Sequence, residues 1–505
     1  MSNSFRGRSK ALALFLAALL PRLIGAFFLP NAFGDAYVYI QEIGTHSTKI
    51  ANGTFRLTDL FGFWLPLYQV ISALLNVFVR NGFYSGKIVA AWFGAGSCLL
   101  VYLITKRLTD DAAAALWMFL LIGLNPLHIF YSASAMTDIP HAFFVLAALY
   151  FVLTENWIVA ALFGALAGCT RVESWMFIAL IPFLQFIRTR RLSAPVILTL
   201  CAPPLFWFYI SWKATGNWLA CFVQRQQYHD WLLQANPAIA HFSLTNVIKD
   251  TAMLLVSSDI AVLIASFVAG WFVLRRGWRL LKSPVSAGDA VDITAPVLFF
   301  FAFLGLLTVA YLTHQQPIIF PRYGLILFTV GLPILAWTFL RVRKNSPQLA
   351  RGVLIGIVTI CVCDASIQLA GAVGTVNQYR AQRAAADYLR DHFDLNSEAK
   401  IFCDDGTVRV LSGIPEQRFL SSSQAPREAA MFRDFVASAE IGYLVLVNTP
   451  ASNPATIPRK GESPNFESFD PVFHSSAAFL HTDIWLLKAS NGKAKQASAK
   501  QGQGN

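Results

Sequence analysis

Carboxylates are scarce in the apolar part of this sequence, and Asp35 is the first whose surroundings suggest chemistry. It lies in the segment FGDAYVY, residues 33–39, among apolar and aromatic neighbours. Such neighbours raise the pKa of a carboxyl group and suit it to work as a general base. An N-cap role at the start of a helix would explain the same aspartate equally well.

A second aspartate, Asp138, lies in the segment YSASAMTDIPH, residues 131–141. Pro140 suits the first turn of a helix, so Asp138 could also serve as a cap there. If the two aspartates meet at one face, they could share a sugar acceptor or hold a metal together with His141. Which of these roles applies depends on how the helices between them are oriented.

Two basic motifs flank later apolar runs. Arg171 and Glu173 in TRVE mark the junction of two short helices, where they could act on a ligand or form a local ion pair. Arg322 precedes Tyr323 in PRY, and its guanidinium fork could bind a phosphate or simply extend to the membrane interface. Arg22, inside the first apolar run, needs a partner or access to the outer rim.

The composition is that of a membrane protein. Hydrophobic residues make up 55% of the 505 positions, charged residues 13%, and the mean hydropathy is +0.51. Soluble domains carry about 25% charged residues, which excludes a single soluble core. Apolar runs recur up to about residue 371, although two of the spans they predict are short for a hydrocarbon core of ~30 Å. They predict about eleven spans, at 11–29, 88–105, 112–129, 139–154, 157–169, 174–187, 194–212, 257–274, 294–312, 318–340 and 351–371.

Lysines and arginines cluster between the apolar runs, a pattern that orients membrane helices. The net charge of +12 is therefore no sign of nucleic-acid binding. If 63–79 is a re-entrant or juxtamembrane helix, every cluster falls on the cytoplasmic side. The clusters are Arg6/Arg8/Lys10, Lys106/Arg107, Arg188/Arg190/Arg191, Arg275/Arg276/Arg279/Lys282 and Arg341/Arg343/Lys344.

The first helix is predicted to remain uncleaved. This topology places four connections outside, at 30–87, 130–138, 213–256 and 313–317. Residues near 170–173 and the chain beyond about 372 are predicted to lie on the same face. The loop 213–256 holds Arg225, His229 and Asp230 among aromatic residues. That composition favours an amphipathic helix at the interface, although it could also hold a lipid tail or an acceptor.

Beyond residue 371 the pattern changes to a small α/β domain, 372–488. Helices are predicted at 378–393 and 426–439, and strands at 399–403, 443–447 and 484–487. The stretch 449–468 is predicted to be loop, and 489–505 a disordered tail. The seven cysteines show no metal spacing and require no disulfide.

Taken in order, several motifs resemble the GT-C superfamily of membrane glycosyltransferases, and most of all glycosyltransferase family 39. These proteins are similar to protein O-mannosyltransferases and aminoarabinose transferases. The matching segments are GDAY at 34–37, LPLY at 65–68, residues 131–138, TRVE at 170–173 and PRY at 321–323. The resemblance implies a GT-C-like membrane domain over 1–371 and an extracytoplasmic α/β domain after it.

The resemblance also implies roles for individual residues. Asp35 would be the catalytic base, and Asp138 a second acidic residue that supports the site. Arg322 and Arg171 would bind the donor phosphate. The substrate-binding candidates are Tyr37, Tyr131, Glu173, His141 and Tyr323. Many relatives carry a second acid beside the first, where this chain has Ala36, so no metal ligand or cofactor is assigned and a divalent metal stays open.

The implied reaction is inverting transfer of a sugar from a polyprenyl-phosphate donor to a hydroxyl of a lipid, glycan or protein acceptor. Membrane lipids are the other expected partners, and the bacterial inner membrane is the expected location. A transporter or flippase of lipid-linked sugars is the alternative, but the polar candidates gather at one face and no internal repeat is visible. A structural or adaptor protein would not need Asp35 or Asp138.

Overall fold

The computed structural model describes residues 2–235, 243–282, 293–316, 318–403, 405–421, 425–426, 429–447, 469–477 and 482–490. The chain forms two compact units. The first comprises Met1–Ala32, Tyr39–His229 and His241–Ala372, and the second Phe33–Val38, Asp230–Ala240 and Val373–Asn505. Each unit is described by itself below.

Helices account for nearly all of the described chain up to residue 392. They are α1 Ser2–Phe28, α2 Asp35–Ala51, α3 Leu67–Val79, α4 Gly82–Thr109, α5 Ala112–Leu124, α6 Pro126–Ser132, α7 Asp138–Leu153, α8 Trp157–Gly168, α9 Phe177–Thr189, α10 Ala194–Thr215, α11 Ala220–Ala235, α12 Leu244–Ser258, α13 Ile260–Lys282, α14 Thr294–Leu312, α15 Pro321–Asn345 and α16 Pro347–His392. Short 3-10 helices cover Leu57–Leu60 and Val172–Met176.

Within the described residues, seven helices are long and apolar enough to cross a membrane, or nine if each of two bent pairs counts as one span. The predicted number of eleven is not confirmed. Two of the predicted spans form the helices α7 and α8, of 16 and 12 residues. At 1.5 Å per residue they measure about 24 and 18 Å, shorter than the ~30 Å hydrocarbon core.

Both bent pairs break at a residue that caps the second helix. Asn125 accepts a hydrogen bond from the backbone N–H of His128 at 2.8 Å, and α5 and α6 meet there at 62°. Asp259 has a φ of 63° and caps α13, which turns 87° from α12. The segment predicted as one span at 112–129 is therefore bent at Asn125, and the helix that matches the span predicted from 257 begins at Ile260.

The helix α3 corresponds to the segment 63–79, which the sequence predicts to be a re-entrant or juxtamembrane helix and not a span. It has 13 residues, and its buried face carries Gln69, Ser72 and Asn76. Asn76 donates to Ser47 Oγ of α2 at 2.7 Å and accepts from Ser85 Oγ of α4 at 3.0 Å. Such a polar contact face suits a helix outside the hydrocarbon core, although the side of the membrane stays a prediction.

The buried arginine of the first span has the partners that the sequence required. Arg22 is 0% exposed. Its Nη1 donates to Ala18 O at 2.8 Å, and its Nη2 contacts Ile122 O at 3.2 Å and His128 Nδ1 at 2.9 Å. These contacts fasten α1 to the bend between α5 and α6.

The second unit contains the predicted α/β sheet. The strands β1 Lys400–Cys403, β2 Phe419–Leu420, β3 Ile441–Val447, β4 Phe469–Ala477 and β5 Thr482–Ala489 lie in the order β2-β1-β3-β5-β4. β1 is parallel to β2 and β3, whereas β5 is antiparallel to β3 and β4. The accompanying helices are α17 Gly406–Ser412 and α18 Ala429–Ser438.

The predicted strands and helices of this unit are present, with somewhat different ends. The predicted helix 378–393 is the last part of α16 rather than a separate element. The strands β2 and β4 and the helix α17 were not predicted. The predicted loop 449–468 lies outside the described residues, as does the predicted tail beyond residue 490, while residue 489 belongs to β5.

Candidate active site

Six of the nine residues proposed from the sequence line one pocket of the first unit. They are Asp138, His141, Arg171, Glu173, Arg322 and Tyr323. α7, the 3-10 helix Val172–Met176 and α15 supply the polar side, and α14 adds an apolar wall that includes Phe303 and Leu306. The empty volume is about 640 Å³, open solvent included. Ligand pockets commonly combine apolar walls with a few converging polar groups in this way.

The centre of the pocket is a guanidinium shared by two carboxylates. Arg171 Nη1 lies 2.7 Å from Asp138 Oδ1, and Arg171 Nη2 lies 2.7 Å from Glu173 Oε1. The local ion pair that the sequence left open is therefore present, with Asp138 as an additional partner. Thr137, not Asp138, occupies the N-cap position of α7, so the carboxylate of Asp138 points to Arg171 instead of capping its helix.

The second oxygen of Asp138 differs from the first in its contacts. Asp138 Oδ2 is buried and makes no hydrogen bond within the described structure. Buried polar atoms are nearly always satisfied, so this oxygen is suited to accept a hydrogen bond from a ligand or a water molecule. The side chain of Glu173 is more accessible, at 32% exposure against 5% for Asp138.

His141 is held by a hydrogen bond within the protein. Its Nε2 lies 2.7 Å from Ser174 Oγ, its ring meets Phe303 edge-on at 5.7 Å, and it is 4% exposed. No group of three His, Cys, Asp or Glu side chains in the described part of the chain could hold a metal ion. The alternative of a metal shared by His141 and the aspartates stays open, because Asp35 belongs to the second unit.

Tyr323 brings the two arginines of the pocket together. The Cζ atoms of Arg171 and Arg322 lie 5.8 and 5.4 Å from the centre of its ring, within the range of cation–π contact. Arg322 also lies 5.3 Å from the ring of Phe320. Because α15 begins at Pro321, both Arg322 and Tyr323 lie in its first turn, where the helix dipole favours an anion.

A third arginine near these groups was not selected from the sequence. Arg225 of α11 donates from Nη2 to Phe63 O at 3.2 Å and lies 5.6 Å from the Phe63 ring. Burial lowers the pKa of Arg225, while the nearby carboxylate of Glu173 acts in the opposite direction. The sequence placed Arg225 in an aromatic loop but could not show that it faces Glu173.

The remaining three candidates lie elsewhere. Tyr131 belongs to α6, is 3% exposed and is not among the described residues that line the pocket. Asp35 and Tyr37 belong to the second unit, and α2 begins at Asp35. The expected approach of Asp35 to Asp138 therefore stays a prediction.

Comparison with known proteins agrees with this architecture. The family described as dolichyl-phosphate-mannose-protein mannosyltransferase matches residues 61–190. An uncharacterized protein of Aquifex aeolicus (strain VF5) is 27% identical over 147 residues, which cover 27% of this chain and 28% of that protein. The matched part thus spans little more than a quarter of that relative.

Two solved structures are similar over nearly the whole chain. ArnT from Cupriavidus metallidurans in the apo state has a TM-score of 0.55 at 13% identity, with 95% of this chain and 98% of that chain covered. The structure of the same protein bound to undecaprenyl phosphate gives 0.54 at 13% identity, covering 96% and 98%. The resemblance to the GT-C membrane glycosyltransferases is thereby confirmed at the level of the fold, which is that of an integral membrane protein.

Proposed function

We propose that this chain is a glycosyltransferase that moves a sugar from a polyprenyl-phosphate donor to an acceptor hydroxyl on the extracytoplasmic face. The observation that carries the proposal is the pocket itself. It gathers two carboxylates and two guanidiniums, Asp138, Glu173, Arg171 and Arg322, from three separate segments. Acids that act on a hydroxyl and cations that stabilise a departing phosphate are the groups such a transfer needs.

The apolar wall supports a donor carried on a lipid. Phe303, Leu306 and Leu307 of α14 and Ile326 and Leu327 of α15 line the same pocket as the charged residues. An isoprenoid chain could lie against these side chains while its phosphate reaches the first turn of α15. The similar ArnT chain was solved bound to undecaprenyl phosphate.

The contacts of the two arginines suggest different roles for them. The fork of Arg171 is occupied by Asp138 and Glu173, so a phosphate would have to compete with two carboxylates for it. Arg322, at the positive end of α15, is the better candidate for the donor phosphate. Arg171 then acts mainly by holding the two carboxylates in position.

In the proposed reaction Asp35 takes the proton of the acceptor hydroxyl as its oxygen attacks the anomeric carbon. The new carbon–oxygen bond forms on the face opposite the phosphate, and the configuration inverts. The old bond to the phosphate oxygen breaks, and its electron pair leaves with the lipid phosphate. Arg322 stabilises that developing charge. The unpaired Oδ2 of Asp138 would accept a hydrogen bond from the sugar or the acceptor.

The experiment compares Asp35→Asn with Asp59→Asn in purified protein supplied with a panel of polyprenyl-phosphate sugars. Asp59 lies in the same predicted loop, and its ion pair is with Lys49 at 2.6 Å. Loss of a general base costs about 10²–10⁴-fold in rate. We expect that loss for Asp35→Asn and near-normal transfer for Asp59→Asn, with unchanged thermal stability in both.

Full transfer activity in Asp35→Asn would contradict the assignment of the base. A protein that transfers no sugar but moves labelled lipid-linked sugar across liposome membranes would instead be the flippase considered from the sequence.

A further inference from the structure

A second pocket lies at the opposite end of the first unit from the candidate active site. The last turns of α4 and α15 form its walls, with Tyr150 of α7 beside them. Tyr323 in the first pocket and Lys344 in the second are 21 positions apart on α15, about 31 Å at 1.5 Å per residue. That length matches the thickness of the hydrocarbon core, so the two pockets open at opposite membrane faces.

The second pocket is strongly basic. Lys106 and Arg107 of α4 and Arg341 and Lys344 of α15 line it, against one lining carboxylate, that of Asp110. In the described part of the chain none of these four cations forms an ion pair. Their mutual repulsion would be relieved by a bound anion.

The cations lie next to an apolar floor, the layer of lining residues formed by Leu103, Trp337 and Leu340. Three of the cations follow one of these residues by four positions on the same helix, and therefore lie one turn nearer the helix end. The pairs are Leu103 with Arg107, Trp337 with Arg341, and Leu340 with Lys344. A polar rim one turn above an apolar layer fits a molecule with an anionic head and an apolar tail.

Arg341 is held in a fixed position within this rim. Its Cζ lies 4.8 Å from the ring of Trp337 and 5.0 Å from the ring of Phe272. Its neighbour Arg343 lies outside the pocket and contacts Asp111 Oδ2 at 3.4 Å instead. Of these two neighbours, Arg341 packs on rings and has no ion pair in the described part of the chain, whereas Arg343 has a carboxylate partner.

Two general tendencies account for cations at this location but not for the pocket. Positive residues favour the cytoplasmic ends of spans, and they also favour helix C-termini because of the dipole. Neither tendency requires a concave pocket between the two helix ends that is lined by Tyr150 and Trp337. Basic pockets between spans commonly bind anionic lipid headgroups.

We propose that the pocket between the ends of α4 and α15 binds a phosphate anion, supplied by the headgroup of an anionic lipid in the adjoining leaflet. The apolar floor favours a lipid over a free anion, because a hydrated inorganic phosphate gains nothing from the leucines and tryptophan. This site is separate from the candidate active site, and its occupant need take no part in sugar transfer.

The test measures binding of phosphatidylglycerol, and of phosphatidylcholine with the same acyl chains, to the full chain in neutral detergent by native mass spectrometry. A separate arm uses inorganic pyrophosphate and thermal stability. The variants are Arg341→Gln and Lys344→Gln, with Arg343→Gln as the matched control. Lys344 is exposed, so its variant remains informative if Arg341→Gln fails to fold.

We expect phosphatidylglycerol to bind at least tenfold more tightly than phosphatidylcholine. Arg341→Gln and Lys344→Gln should each weaken it several-fold, and Arg343→Gln less than twofold. Stabilisation by pyrophosphate with the same dependence on Arg341 and Lys344, without lipid selectivity, would support the phosphate site with a soluble occupant. Equal binding of both lipids without a pyrophosphate effect, or equal losses in all three variants, would overturn the proposal.

Discussion

Arg171 joins Asp138 to Glu173: its Nη1 lies 2.7 Å from Asp138 Oδ1, and its Nη2 lies 2.7 Å from Glu173 Oε1. Asp138 begins α7, whereas Glu173 belongs to the 3-10 helix after α8, so the guanidinium ties two segments separated by an antiparallel helix pair. The pair Arg171–Asp138 is largely removed from solvent, with side-chain exposures of 17% and 5%. It is consequently expected to affect both stability and activity.

Replacement of Arg171 by Gln should destabilise the protein, because Asp138 then retains a buried charge without a partner. Breaking a buried pair costs about 3–5 kcal/mol. The double variant Arg171→Gln/Asp138→Asn should recover part of that loss, since it removes the charge as well. Thermal unfolding of the single and double variants in detergent gives the coupling energy between Arg171 and Asp138. About 0.5–3 kcal/mol is typical of residues in contact. Strict additivity would mean that the ion pair contributes nothing.

Arg322→Lys should weaken use of the donor while leaving the fold intact. Lysine keeps the charge but loses the planar fork and its stacking on Phe320 and Tyr323. We expect kcat/KM for the lipid-phosphate donor to fall about 10–100-fold, equivalent to about 1.4–2.7 kcal/mol. Arg56→Lys, at an exposed arginine of the predicted outer loop, is the control. If kcat/KM for the donor is unchanged in Arg322→Lys, Arg322 does not bind the donor phosphate.

Asp250 of α12 is expected to position the segment that precedes Arg322. It is 7% exposed, and its carboxylate accepts hydrogen bonds from Tyr311 Oη at 2.9 Å and from the backbone N–H of Ile319 at 3.3 Å. Asp250→Ala leaves both donors without their acceptor, and hydrogen bonds to charged groups contribute about 1.5–3 kcal/mol each. The KM for the donor should rise about tenfold or more, with a smaller change in kcat.

Two further variants separate positioning by Asp250 from a general loss of structure. Asp250→Asn retains an acceptor oxygen and should restore much of the donor affinity. Lys249→Ala, at the exposed adjacent position, should leave KM unchanged. A fall in kcat alone, or no rescue by Asn, would argue against the positioning role.

In the second unit, Asp405 should make stability depend on pH. Burial raises the pKa of Asp405 above its ordinary value, although backbone N–H groups of Val408 and Thr407 and the amide of Gln382 act against this. A pKa raised in the folded state contributes stability at low pH that is lost as the pH rises through the folded-state value. Wild type should therefore lose local stability relative to Asp405→Asn as pH rises from about 4 towards neutrality.

Hydrogen exchange of the amides of β1 and α17 in the full chain measures this local stability. Asp405→Ala serves as the comparison, because relative to Asp405→Asn it removes the side-chain cap of α17 and should cost about 1 kcal/mol at every pH. An exchange difference between wild type and Asp405→Asn that stays constant with pH would contradict the prediction.

The pocket could be anticipated from the sequence because its residues lie at the ends of apolar runs. TRVE and PRY each border a predicted span, and the charge distribution assigned both borders to one face before any contact was known. The side chains Arg171 and Tyr323 do meet, with Arg171 Cζ 5.8 Å from the ring. Spacing alone could not show that Arg171 would take Asp138 as a second partner, because that contact depends on the packing of α7 against α8.

Two helix bends, the continuous helix α16 and the strand β4 were harder to predict, because the local sequence indicates them only weakly. The bends at Asn125 and Asp259 fall at short polar interruptions, Asn125-Pro126 and Ser257–Asp259, inside otherwise apolar stretches. Hydropathy averaged over a whole span does not distinguish a straight span from two helices there. α16 was divided in two because its polarity changes near residue 372, yet its helix contains no proline there and continues through Gly371 and Gly374. β4 contains Pro471, which argues against a central strand and is tolerated because β4 lies at the edge of the sheet.

The contacts of Arg22 bear on the order in which the protein is assembled. Its partners Ile122 and His128 lie 100 and 106 residues further along the chain. During synthesis α1 enters the bilayer before either partner exists, carrying a guanidinium that costs about 2.5–3.5 kcal/mol at the centre of a span. The strongly apolar stretch Ser9–Phe28, with a mean hydropathy of 2.1, must offset that cost alone. We therefore expect the nascent first helix to stay near the translocation machinery until α5 and α6 are inserted and supply the partners of Arg22.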